Sequence, residues 1–138
     1  RGMIVLRNKT YYLMPEGCRK PLAIVGLDDE WSDHIDPKKA WDGVDPNLPI
    51  ICLNHNPANV RELLGYPWQW MLSGHTHGRQ VGTSKLGKRL YGHRYRHYTH
   101  GYYAVEGRHL YVNRGLGHLL RARINVRPEI TAFTLRAG

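Results

Sequence analysis

Ser73-Gly-His-Thr-His-Gly-Arg-Gln-Val81 places His75 and His77 one residue apart between Gly74 and Gly78, directly after the apolar run Trp70-Met71-Leu72. An apolar run that stops at a glycine-framed polar corner reads as a strand end. In extended backbone, residues i and i+2 share a side, so both imidazoles can face one centre. Glycines on either flank clear the approach and permit unusual backbone angles. Imidazole is a common ligand for zinc, iron, manganese and nickel. The plain alternative is a polar surface corner with two solvated histidines.

The neighbouring segments favour the first reading. Pro21-Leu22-Ala23-Ile24-Val25-Gly26-Leu27 and Leu48-Pro49-Ile50-Ile51-Cys52-Leu53 are compact apolar runs of the kind found in strands buried on both faces. The second run ends at Asn54-His55-Asn56-Pro57. There Asn56 is a helix cap, Pro57 suits a first helical turn, and Val60, Leu63 and Leu64 keep helical spacing until Gly65. Residues 68–72 form the strand that leads into the corner. Strand, loop, strand, helix, strand is the layout of an α/β domain. His55, His75 and His77 then all lie at C-terminal strand ends, the edge where open α/β sheets gather ligands.

The outer segments are less regular. Residues 3–7 and 10–14 read as a hairpin around Asn8-Lys9, and Pro37–Trp41 as one helical turn in a surface excursion over 32–49. Tyr102–Val105 and Leu110–Val112 read as a hairpin turning at Glu106-Gly107, and Ile130–Leu135 as a final strand.

The whole-chain quantities bound the answer. A length of 138 residues suits one domain, residues 1–138, and 41% hydrophobic with 22% charged content suits a folded one. No apolar run approaches the roughly 20 residues of a membrane-spanning helix, and no secretory signal is visible. Cys18 and Cys52 are far apart, so neither a disulfide framework nor a CxxC motif is present. Cys52 reads as a buried thiol, and a reducing, cytoplasmic location is expected. Twenty Lys and Arg against eleven Asp and Glu give +9, which suits an anionic partner without choosing one.

"LNHNP" followed some twenty residues later by "LSGHTHGRQ" resembles the last two metal motifs of the calcineurin-like metallophosphoesterases. The nearest resemblance is to a bacterial branch of phosphodiesterases and lipid-A-pathway diphosphatases acting at the inner membrane, which implies a peripheral position at the inner membrane face. It continues in "GMIVLRN", "GLDDEWSD", "GYYAVEGRHLYVNRGLG" and "RPEITAFTL", and so spans nearly the whole chain in order. The resemblance implies a β-sandwich flanked by helices around a two-metal site. His55 and His75 match ligands of the second metal, and His77 matches a ligand of the first. Two divalent ions (Mn, Zn, Fe or Ni) about 3.5–4 Å apart are then expected to clamp a phosphate and generate the attacking hydroxide.

The family's upstream motifs, Asp-x-His, Gly-Asp-x-x-Asp and Gly-Asn-His-Asp/Glu, have no counterpart here; Asp28-Asp29 and Asp33-His34 have the wrong order and spacing. Three imidazoles without a bridging carboxylate do not hold a dinuclear site. The expectation is therefore a C-terminal half, inactive by itself, with no catalytic residue of its own. It is expected to associate with an N-terminal half or with itself, because a half-fold leaves sheet edges uncovered.

Lesser candidates keep two readings each. Arg79 stands where the family often has glycine, and either grips substrate phosphate or points to solvent. Arg114 in "VNRGLG" is a phosphate ligand or an ordinary surface cation. Asn56 either orients a metal ligand or only caps the helix. Asn8-Lys9-Thr10 fits a glycosylation acceptor by chance. The segment 84–100 interleaves Lys85, Lys88, Arg89, Arg94 and Arg96 with Tyr91, Tyr95 and Tyr98. It reads as a solvated loop, as a contact for an anionic membrane surface or phosphorylated lipid headgroup, or, less favoured, as a nucleic-acid contact. The rival to an enzyme is accordingly a basic binding module whose histidines are structural.

Overall fold

Four strands run parallel to one another at the centre of the sheet. The computed structural model describes residues 2–78, 97–117, 123 and 126–136. It contains one mixed six-stranded sheet with strands β1 (Lys9–Leu13), β2 (Leu22–Gly26), β3 (Ile50–Leu53), β4 (Trp70–Ser73), β5 (Gly101–Val105) and β6 (Arg108–Val112). The spatial order is β1-β2-β3-β4-β6-β5. The β2/β3, β3/β4 and β4/β6 pairs are parallel, whereas β1 and β5 pair antiparallel at the two edges. A largely parallel sheet with short helical connections is an α/β arrangement. A second sheet and flanking layers of helices, as in a sandwich, are absent among the described residues.

Register separates the two faces. Thr10 and Tyr12 align with Val25 and Ala23, and the alignment continues through Ile50 and Cys52, Met71, and Leu110 and Val112. This face packs against Val60 and Leu63 of the helix after β3 and against Ala40 and Trp41, forming the core. Burying each large side chain of this set contributes about 1.5–3 kcal/mol. The opposite face carries Tyr11, Ile24, Ile51, Leu53, Trp70, Leu72, Tyr102 and Tyr111. It is apolar too, but only partly covered: Leu6 lies over Gly26, and Phe133 meets the Tyr111 ring edge-on at 5.2 Å.

Local chemistry explains the elements. Helix α1 (Pro37–Ala40) starts where the Asp36 carboxylate accepts from Lys39 N and Pro37 occupies the first turn. The segment Pro57–Gly65 is capped by Asn56 as its sequence predicts, but it winds as a 3₁₀ helix throughout. The β5–β6 turn falls at Glu106-Gly107, with φ of 48° and 78°. Paired positive φ angles match the strand twist of a two-residue hairpin.

Two expectations fail. Residues 3–7 form no strand, and β1 pairs with β2 instead, so the hairpin around Asn8-Lys9 does not exist. Asn8, at φ 49°, instead ties the chain entry to the end of β2, because its side-chain oxygen accepts from Asp28 N and Asp36 N. Residues 130–135 form no strand either. Their alternating pattern arises because side chains, and not a backbone ladder, fasten this arm: Tyr111 and Asn113 both reach Thr131 Oγ1, at 3.1 and 2.9 Å. Cys52 is fully buried and unpaired, as expected.

Candidate metal centre

The parallel register delivers the ends of β3 and β4 side by side, and backbone bonds lock them there. Asn54 N donates to Leu72 O at 3.1 Å and Gly74 N to His55 O at 3.0 Å. Asn54, buried at this junction, donates through its side chain to Asn56 O at 2.7 Å. His55 and His75 consequently meet edge-to-face, ring centroids 5.2 Å apart. Trp31 closes the far side of His75 at 5.4 Å. A cleft runs along this edge, with Leu27, Leu53 and Leu72 as its apolar wall and Asn54, His55, Ser73 and Gly74 as its polar one.

The corner after β4 is not extended. His75 and His77 both adopt left-handed backbone, φ 65° and 48°, followed by Gly78 at 61°. Each non-glycine residue there costs about 1–2 kcal/mol, and such angles cluster where function constrains the chain. Thr76, buried between them, anchors the corner by donating through its hydroxyl to Thr99 O at 2.5 Å. The same-side argument from an extended strand therefore does not apply. His75 turns toward His55, while His77 lies beside the Gly115–Gly117 loop: a methyl group on Gly117 would sit 3.5 Å from His77 Cε1.

Acidic residues that motif reading passes over stand at the same edge. The Glu30 carboxylate, just beyond β2, accepts from Asn56 Nδ2 at 2.5 Å. Asn59, with its amide nitrogen turned to that carboxylate, donates to both oxygens at 2.9 and 3.1 Å. Asn56 thus has two roles, since its Oδ1 also accepts from Ala58 N at 3.1 Å as the helix cap. Partial burial, followed by the fields of His55 and His77, holds the His75 imidazole below its ordinary pKa; Asp29 and Glu30 oppose that shift. The signal for these acids is present in the sequence: Asp28-Asp29-Glu30 ends a buried-strand run, as His55 and His75 do.

Arg114 is occupied. Its Nε donates to Glu129 Oε2 at 2.6 Å, and Glu129 also accepts from Tyr111 and Thr131. Although desolvation pushes the Glu129 carboxyl up, these bonds and the nearby guanidinium bring it down to about 2. Arg79 and most of the basic segment 84–100 lie outside the described residues.

The donors are of the chemistry that divalent ions take, but too few converge. Among the described residues no group of three or more His, Cys, Asp or Glu side chains is arranged to hold an ion. The set does not close by itself, and no reaction step through a metal follows from these residues alone.

Comparison with known proteins agrees with this edge chemistry. Over 134 residues the chain is 34% identical to phosphodiesterase YaeI of Escherichia coli, covering 97% of this chain and 48% of that protein. It is 36% identical over 137 residues to the UDP-2,3-diacylglucosamine pyrophosphatase LpxG of Chlamydia trachomatis, covering 91% of this chain and 42% of that protein. Metallophosphoesterase YkuE of Bacillus subtilis is 34% identical over 137 residues, covering 99% and 48%. This chain belongs to the calcineurin-like metallophosphoesterase family. It spans about half the length of the curated relatives it matches. No protein-family model matches it, and no solved structure does. Membership implies divalent metal cofactors in general. Among the described residues no helix is long and apolar enough to cross a membrane.

Proposed function

We propose that this chain supplies part of the site of a metal-dependent phosphoesterase acting on a phosphodiester or diphosphate, the substrate classes named for its relatives. His55, His75 and His77 serve as imidazole donors. The observation that carries this reading is the meeting of His55 and His75, 5.2 Å apart, at the C-terminal edge of adjacent parallel strands. The left-handed corner that aims His75 supports it. When bound, a pair of divalent ions supplies charge neutralisation at phosphate and an activated water. The residues of this chain hold the imidazoles at one edge, and Glu30 fixes the His55–Asn56 turn through Asn56 and Asn59.

Carboxylate ligands come from polypeptide outside this chain, so activity needs that segment. The partly covered apolar face supports such an association, since sheets of parallel strands are normally covered on both sides. Phosphate contacts by Arg79 and Arg114, and contact of 84–100 with an anionic membrane surface or lipid headgroup, extend the proposal. A location in the cytoplasm at the inner membrane face goes with them. Nucleic-acid binding is the rival reading.

Titration of the 138-residue chain with Mn²⁺ and with Zn²⁺, beside His55→Ala, His75→Ala and His77→Ala, tests the site. Weak binding that each substitution reduces by tenfold or more is expected, with no robust hydrolysis of a chromogenic phosphodiester by the chain alone. Equal binding by all four proteins overturns the ligand assignment. Robust Mn²⁺-dependent hydrolysis by the chain alone overturns the requirement for a second segment.

A further inference from the structure

We propose that Arg123 is a positioning residue for His77, acting through the Gly115–Gly117 loop that it clamps against the imidazole ring. The inference rests on the reading of His77 as a site residue. The loop lines the ring closely, because a Cβ on Gly115 would stand 3.9 Å from His77 Nδ1 and one on Gly117 3.5 Å from Cε1. A segment with φ +66° at Gly115 and no regular secondary structure needs external bonds to keep that position.

Arg123 supplies them. Its Nη2 donates to Arg114 O at 3.2 Å, to Gly115 O at 3.0 Å and to Gly117 O. Three carbonyls of one short loop converge on a single guanidinium nitrogen. The other terminal nitrogen, Nη1, is enclosed and has no hydrogen-bond partner among the described residues. The nitrogen that holds the loop is committed to its carbonyls, which separates a clamp from a substrate contact. The loop has other fastenings. Gly115 N donates to Asn113 Oδ1 at 2.6 Å, and Glu129 N donates to Gly115 O at 3.2 Å. The far side of the corner is closed too, since a Cβ on Gly78 would lie 2.6 Å from Val126 Cγ1 and 3.0 Å from Arg114 Cγ. Arg123 and residues 126–131 therefore grip the corner from two directions, and Arg123 is the member bonded to the loop beside His77.

The test reads the His77 ring directly, in the ion-free 138-residue chain, through its imidazole ¹H–¹⁵N correlations. Arg123→Ala is expected to shift or broaden the His77 ring signals while those of His109 and the amides of Leu110 and Val112 keep their positions. Arg123→Lys, which keeps the charge and several donors, is expected to restore part of the change. Unmoved His77 signals in Arg123→Ala overturn the inference, as does an equal disturbance of His109 and the β6 amides. If Arg123→Ala does not fold, Arg123→Lys decides, because it removes the Nη2 donor to the loop carbonyls, and His77 ring signals at their wild-type positions in it overturn the inference. No ion is needed, so failure here is separable from failure of the ion-binding reading.

Discussion

Substituting Gly78 with alanine tests whether the histidine corner and the C-terminal arm interlock as described. Gly78 has φ +61°, so any side chain there incurs the left-handed cost of about 1–2 kcal/mol. Its new Cβ would also stand 2.6 Å from Val126 Cγ1, closer than real contacts allow, and 3.0 Å from Arg114 Cγ, tighter than most. Overpacking of this kind costs about 1–3 kcal/mol. The expected loss is therefore about 2–5 kcal/mol, or roughly 8–20 °C in Tm at about 4 °C per kcal/mol for a domain of this size. Gly43→Ala is the internal reference: Gly43 has φ +68° but open space around its Cβ position, so it isolates the backbone cost. Equilibrium urea unfolding measures both variants, with unchanged m-values expected. Adding Val126→Ala to Gly78→Ala removes the clashing methyl and should return at least about 1 kcal/mol as coupling between the two sites. A Gly78→Ala loss no greater than that of Gly43→Ala, with no coupling to Val126, refutes the interlock.

Two other outcomes are expected. Glu129, depressed to about 2 in the fold from an ordinary value of 4.5, contributes stability that is present above pH 4.5 and lost as pH falls toward 2. Wild type and Glu129→Gln should therefore differ most near neutrality and converge at pH 2 in denaturation curves, and parallel curves across that window would contradict the network. Burial of Cys52 raises its thiol pKa, so a thiol reagent should label Cys18 alone in the native chain and reach Cys52 only in denaturant; rapid labelling of both would show that the core strand is open.

Much of the sheet was legible because its strands are short apolar runs bounded by glycine, proline and asparagine. The β2, β3 and β4 segments and the β5–β6 hairpin all fall where those signals put them. The errors share a cause. Met3-Ile4-Val5 and Ile130–Leu135 have strand-like composition, but composition does not say whether a neighbouring backbone will pair, and neither joins the sheet among the described residues. Periodicity likewise placed the helix after Asn56 but could not distinguish its 3₁₀ winding, because Val60 and Leu63 reach the core in either geometry.

The candidate site divides in the same way. Sequence by itself determined the family resemblance, the three histidines and their placement at strand ends, because motif spacing and apolar runs are local properties. Only the tertiary structure decided that His75 meets His55 while His77 lies beside the Gly115–Gly117 loop, since both histidines left the extended conformation on which the one-centre argument relied. Only it linked Glu30 to Asn56 across 26 positions, and Arg114 to Glu129 across 15. Such partners are set by strand order and register, which bring distant segments to one edge, and no local pattern encodes which of them will meet.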